Sequence, residues 1–224
     1  MVCWQKERKR KKIKNLIMKQ NLHTYDNGVT LNMVKQDGTP YKTSKYNGVN
    51  IHEPIETKIF GDILDNNEIK NYFNVGAFLG YYSILCKLIS PSTDVVCFEG
   101  EKWLEDRIKE SIELNNVDGI DIEIGYVGKD YKLSRKISKY ESIDLMNMDI
   151  QGDEVIVLED LVGTKEIEKV KRILIGTHQN KNMTSTHPKC LKILENNGFE
   201  IKFDGKPWQV KNQPDGLIWG EKIN

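Results

Sequence analysis

The sequence has no formal net charge, since 33 lysines and arginines offset 33 aspartates and glutamates over 224 residues. Its pI is near 6.9, so no overall field draws it to nucleic acid, and any such contact would have to be local. Long apolar runs are missing too. None approaches the roughly 20 residues that span a bilayer, and no charged start with an apolar core and a small-residue cleavage site marks a signal peptide. The expectation is a cytoplasmic, intracellular protein. Cysteine is sparse and scattered, at Cys3, Cys86, Cys97 and Cys190, with no Cys-x-x-Cys pair and no matching histidine spacing. That argues against zinc and leaves reduced thiols, of which Cys86 and Cys97 act as small apolar fillers. The chain is 38% hydrophobic and 29% charged, enough for one good core beneath an ordinary surface.

A further absence chooses between ligands. The stretch from Asn71 to Glu99 reads as a buried strand, a glycine turn, a helix closely followed by Pro91, and a second strand ending in an acid. A dinucleotide fingerprint would place a glycine two residues before Gly76, where the chain has Asn74, so NAD is disfavoured. Gly76 lets the backbone turn at the strand's end. Gly80 is expected to let a ligand approach the next helix, whose first N–H groups are unpaired. Glu99, at the tip of a neighbouring parallel strand, is placed to accept hydrogen bonds from both hydroxyls of a ribose. A polar Asn74 with Gly76 and Gly80 suits S-adenosylmethionine.

Phe73 to Ser83 (Phe-Asn-Val-Gly-Ala-Phe-Leu-Gly-Tyr-Tyr-Ser), Val96-Cys97-Phe98-Glu99, Ile112 to Asn116, Met148-Asp149-Ile150-Gln151-Gly152, Thr177-His178 and Leu194 to Phe199 occur in an order that resembles the FkbM-type S-adenosylmethionine-dependent methyltransferases. The resemblance covers about two thirds of the chain, roughly Glu53 to Phe203, a span suited to one domain. It implies an O-methyltransferase acting on a hydroxyl, most simply of a sugar or glycan, with Phe73, Asn74, Gly76, Gly80, Tyr81 and Glu99 at the cofactor. It also implies a sheet whose last strand is antiparallel.

Helices and strands alternate after Glu99, which predicts an α/β, Rossmann-like, seven-stranded and mostly parallel sheet with helices on both faces and its ligand at the carboxyl ends of the strands. Tyr126 and Val127, at the expected tip of the strand from Ile120, would flank the adenine. Asp149 ends the strand Ile143–Asp149, closest to the transferred methyl group. Asp149 or His178 is expected to take the acceptor's proton; the plainer alternatives are a helix cap for Asp149 and a satisfied loop residue for His178. No metal is expected, since Asp149, His178 and His187 lack a diagnostic spacing.

Residues 1–52 are expected to form an extension and 53–224 the methyltransferase domain. Lys6 to Lys14 is densely basic, with apolar Ile13, Leu16 and Ile17 behind it. This describes a solvated helix, or one that meets an acidic partner or a membrane surface. Val29 to Val34 between Asn27-Gly28 and Asp37-Gly38 predicts a strand within an extension over the site; the resemblance, in which helices ahead of the first strand cover the acceptor cleft, implies Tyr41, Tyr46, His52 and Glu53 as candidates to meet the acceptor, the plainer alternative being surface or packing residues. Three positions depart from the family pattern by losing negative charge: Asn74, Gln151 and Gly176. A catalytically degenerate binding or scaffold protein is therefore carried beside the enzyme. A nucleic-acid methyltransferase is carried third, supported only by the basic segment.

Overall fold

The computed structural model describes residues 21–41, 50–206 and 216–223. The basic segment from Lys6 and Tyr46 lie outside these residues. Strands β1 (Leu22–Thr24) and β2 (Thr30–Asn32) pair as an antiparallel hairpin; β1 carries no alternating apolar pattern, and the sequence gives no sign of it. Helix α1 (Pro54–Asn66) precedes the main sheet. Then follow β3 (Asn71–Val75), α2 (Tyr81–Ile89), β4 (Asp94–Glu99), α3 (Leu104–Asn115), β5 (Ile120–Ile124), α4 (Leu133–Ile137), β6 (Leu145–Met148), α5 (Glu154–Gly163), β7 (Arg172–Thr177), α6 (His187–Asn196), β8 (Phe199–Gly205) and β9 (Gly216–Lys222). Among these helices, none is long and apolar enough to cross a membrane.

The sheet has seven strands in the order β5-β4-β3-β6-β7-β9-β8. All are parallel except β9, which is wedged between β7 and β8 and antiparallel to both. The order reverses between β3 and β6, so the crevice at the carboxyl ends of β3, β4 and β6 is where such a sheet receives a ligand. The period of two along each strand divides the core. Phe73, Val75, Phe98, Met146, Met148 and Ile175 face Leu133, Val157, Leu161 and Leu194 of α4, α5 and α6. Tyr72, Val95, Leu145 and Leu174 face Phe60, Ile63, Ile84 and Leu85 of α1 and α2. Each fully buried side chain of this size contributes about 1.5–3 kcal/mol, and both faces must be covered for a parallel sheet to be stable.

Element ends follow local chemistry. Pro54, with its φ already helical, opens α1, and Asn116, left-handed at φ 51, closes α3. The strand expected over Ile120–Val127 stops at Ile124 because Gly125, at φ 154, turns the chain out of the sheet. Tyr126 and Val127 therefore sit on the loop beyond β5. The strand expected over Ile143–Asp149 is shortened to Leu145–Met148, leaving Asp149 just past its end. The hairpin is fastened to the last residue of α3 and the first of α2: Asn115 accepts from the Thr30 N–H at 2.8 Å and donates to the Thr30 carbonyl at 2.7 Å. Asn27 donates to the Tyr81 hydroxyl at 2.7 Å.

Candidate functional site

A cavity of about 750 Å³ opens at the carboxyl ends of β3, β4, β5 and β6, within the size range of small-molecule and cofactor sites. Its floor is the turn after β3. The N–H groups of Gly76 and Ala77 both donate to the Phe98 carbonyl at 2.9 Å, which ties this turn to β4. Gly76 holds φ +90, and a Cβ there would lie 1.8 Å from the Asp149 carbonyl oxygen. No other residue fits. Gly80 is the N-cap of α2 at a left-handed φ of +86, a conformation that favours glycine, and a Cβ on it would make ordinary contact with Ile108 of α3 at 3.4 Å.

Glu99 ends β4 with 8% of its surface exposed. Its Oε2 accepts from the Phe78 N–H at 2.7 Å and its Oε1 from the Glu101 N–H at 2.9 Å. Each carboxylate oxygen keeps a further lone pair, so the group can still receive a diol. Burial pushes the Glu99 carboxyl up, against the pull of these N–H groups. Tyr126 lies beyond it with its ring across Gly100, where a Cβ would come within 2.6 Å of that ring, and its hydroxyl donates to Glu101. Tyr126 and Val127 both line the cavity, as does Tyr81.

Phe73 and Asn74 do not. Phe73 is fully buried with its ring 5.4 Å from that of Phe98 and 5.0 Å from that of Tyr140. Asn74, 2% exposed, donates to the Ser83 Oγ at 2.9 Å, and so joins β3 to α2. Both lie inside the strand, one residue to each face, and neither reaches its tip.

Asp149 stands at the end of β6 and lines the cavity. It caps no helix: the N-cap of α5 is Asp153. Burial, helped by the charges of Glu53 and Glu154 and opposed by His178 and Gln151, raises its carboxyl from 3.8 to about 6. Its Oδ1 accepts from Gln151 Nε2 at 2.9 Å and lies 3.3 Å from His178 Nε2. Gln151 Nε2 is also 3.0 Å from His178 Nε2, and the other ring nitrogen of His178 is 2.8 Å from Glu154 Oε1. Burial works to raise the Glu154 carboxyl, but hydrogen bonds from His178, the Gly152 N–H and Thr186 outweigh it and hold it below the usual range. An ionised Glu154 takes the proton of His178 Nδ1, leaving Nε2 to accept from Gln151. Gln151 thus uses one amide proton on Asp149 and the other on His178. A Cβ on Gly176 would stand 3.4 Å from the Asp149 carboxyl carbon, so an acid at this position would put a second negative charge beside Asp149.

Further residues of the cleft carried no motif. Glu53, left-handed at φ 42, is the N-cap of α1, and its Oε2 accepts from the Tyr82 hydroxyl at 3.0 Å. Glu56, one turn on, is fully buried; burial and the charges of Glu53 and Asp149 push its carboxyl well up, with Asn147 and Tyr82 opposing. His52 packs its ring 4.8 Å from Tyr81, and burial lowers it to about 4, so it is neutral. Tyr41 covers Phe78 edge-on at 5.2 Å. His187 is held by Thr177 and Asp204, each at 2.8 Å, apart from Asp149. Among the described residues, no three histidine, cysteine or acidic side chains converge as a metal site.

No family model matches the sequence, and no curated protein matches it. Solved structures do match in fold. Precorrin-6y C5,15-methyltransferase from Geobacter metallireducens superposes with a TM-score of 0.56 at 12% identity, over 81% of this chain and 94% of that one. The ribosomal protein L11 methylase of Lactobacillus delbrueckii gives 0.54 at 13% identity, over 78% and 81%. TrmK of M. capricolum, in complex with S-adenosyl-homocysteine, gives 0.53 at 15%, over 74% and 68%. At such identities the likeness establishes the fold, which is the Rossmann-like fold of methyltransferases.

Proposed function

We propose that the protein is an S-adenosylmethionine-dependent methyltransferase acting on a hydroxyl of an uncharged acceptor, most simply a sugar or glycan. The observation that carries this reading is the pair of carboxylates at opposite ends of one cavity, Glu99 at the tip of β4 and Asp149 at the end of β6. The residues present fit the cofactor. Glu99 has lone pairs left for the ribose hydroxyls, while Tyr126 and Val127 offer a flank for the adenine. The described lining holds five carboxylates, Glu53, Glu99, Glu101, Asp149 and Asp153, and neither lysine nor arginine. Such a wall attracts a cation and repels a phosphorylated ligand, which favours a sulfonium and argues against nucleic acid as acceptor. The FkbM-type motifs at Phe73–Ser83 and Met148–Gly152 support the same activity, and the shared fold of the solved methyltransferases is consistent with it.

When bound, S-adenosylmethionine supplies a methyl group on a positively charged sulfur, open to in-line displacement. The chain's own work is alignment and proton removal. Holding the acceptor oxygen in line can remove up to ~7–11 kcal/mol from the barrier. Asp149 accepts the hydroxyl proton, and a carboxyl at about 6 is ionised at neutral pH yet basic enough to serve. Glu154 and His178 keep Gln151 turned so that it holds Asp149 in place.

Calorimetric titration with S-adenosylmethionine and S-adenosylhomocysteine tests the reading. Micromolar binding that Glu99→Ala weakens at least about tenfold is expected, through loss of charge-assisted bonds; no heat and no thermal shift with either ligand would sink it. A second reading, a non-catalytic relative, draws on Gln151, whose amide occupies both Asp149 and His178. Cofactor binding without transfer to any hydroxyl acceptor would favour it.

A further inference from the structure

We infer that Glu53 and Asn147 seat the ammonium group at the amino-acid end of the cofactor, in place of the Asn74 that the sequence set at the cofactor; the inference rests on the cofactor reading above. Asn74 is turned into the sheet face and bonded to Ser83. Asn147 is its partner in register on the adjacent strand β6, one residue short of the strand's last and on the same face. It lines the cavity, is 2% exposed, and its Oδ1 is buried without a hydrogen-bond partner. A buried carbonyl left in that state costs about 1–3 kcal/mol unless a ligand donates to it.

Glu53 lines the same cavity, and Glu56 feels both residues, the charge of Glu53 and a hydrogen bond from Asn147. Its carboxylate is positioned from two sides, by the Tyr82 hydroxyl at 3.0 Å and by the His52 ring at 3.4 Å. His52 is neutral and brings no countercharge. Glu56 lies behind both residues, held by Asn147 and Tyr82. An ammonium offers this end of the cavity one positive charge and three donors, one of them for the unpartnered Asn147 Oδ1. A carboxylate and a neutral amide oxygen give it one charge-assisted bond and one ordinary bond. Neither residue suffices alone. Glu53 comes from the start of α1 and Asn147 from β6, so closing the sheet against α1 builds the seat.

The test uses two ligands on the full-length protein. S-adenosylhomocysteine carries the ammonium group; 5′-methylthioadenosine keeps the nucleoside and sulfur and lacks the amino acid. Calorimetry should show Glu53→Gln weakening S-adenosylhomocysteine about 10- to 100-fold and leaving methylthioadenosine within about twofold. Tyr82→Phe, which removes only the hydroxyl that holds Glu53, should reproduce the selectivity at a smaller size, and thermal melting confirms that both variants fold. If wild type binds both ligands and the variants weaken neither, or weaken both equally, the ammonium seat is overturned while the cofactor reading stands. If wild type binds neither ligand, the cofactor reading fails and this inference with it.

Discussion

Replacing Asp149 with asparagine should make the protein more stable while disabling it. Lifting a carboxyl from 3.8 to about 6 on folding corresponds to about 3 kcal/mol of lost stability once the group is ionised in both states. The side chain is 28% exposed, and solvent screening reduces that to about 1–2 kcal/mol. The sign follows from the direction of the shift. A carboxyl raised in the folded state costs nothing below its unfolded value near 3.8; the cost grows as pH rises toward about 6 and is constant above it. Asparagine never ionises, and its side-chain carbonyl still accepts from Gln151. At pH 7.5 the variant should therefore melt roughly 2–8 °C above wild type for a chain of this length. At pH 5 about half of the gap should close. Calorimetric melts of both proteins at the two pH values decide the matter. A variant no more stable at pH 7.5, or a gap that does not narrow at pH 5, would refute the account of Asp149 as a carboxyl forced to ionise in a poor solvent. Methyl transfer by the same variant should fall about 10²- to 10⁴-fold, the usual worth of a general base.

Two further substitutions probe the floor of the cleft and its supporting network. Gly76→Ala should destabilise by more than about 3 kcal/mol, since its Cβ would fall 1.8 Å from the Asp149 carbonyl at a φ of +90; urea unfolding with a midpoint close to wild type would contradict the geometry. Glu154→Gln should leave cofactor affinity within about twofold but displace the pH profile of methyl transfer, because His178 loses the carboxylate 2.8 Å from Nδ1 and its charge no longer helps to raise Asp149. An unchanged profile would show that the His178 network does not reach the base.

The sequence made the glycine turn, the β3–α2–β4 unit and Glu99 at its strand end legible, because each depends on residues near one another in the chain: an apolar run, a glycine, a following helix, an acid at a strand end; the antiparallel final strand, which pairs with β7 across about 45 residues, came only from the resemblance. The misreadings have one cause. Asn74 sits at the spacing of a ligand contact, yet what a strand residue faces depends on sheet register and on the helix packed above it. Here that partner is Ser83. Tyr126 and Val127 were placed at a strand tip and stand on the loop beyond it, still against the cavity, because Gly125 ends pairing early. Asn147 and Glu154 could not be selected by pattern, and Glu53 was legible only as a candidate at the acceptor: it acts across about 30 residues on Tyr82, and Glu154 across 24 on His178. A faint signal did exist for Glu154 in the acid that opens the helix after Gly152.

The placement of β9 between β7 and β8 sets an order of events in synthesis. Among the described residues strand β8 pairs with β9 alone, so when residues 199–205 leave the ribosome their native partner does not yet exist. Strand β7 meanwhile shows an open parallel edge from Arg172 to Thr177 until residues 216–222 arrive to cover it. The half of the sheet that bears the glycine turn and Glu99 can fold during translation, one crossover at a time; the other half waits on a single late strand that must insert. Slow translation or a truncated message would thus release a chain with a formed cleft and an exposed, adhesive sheet edge.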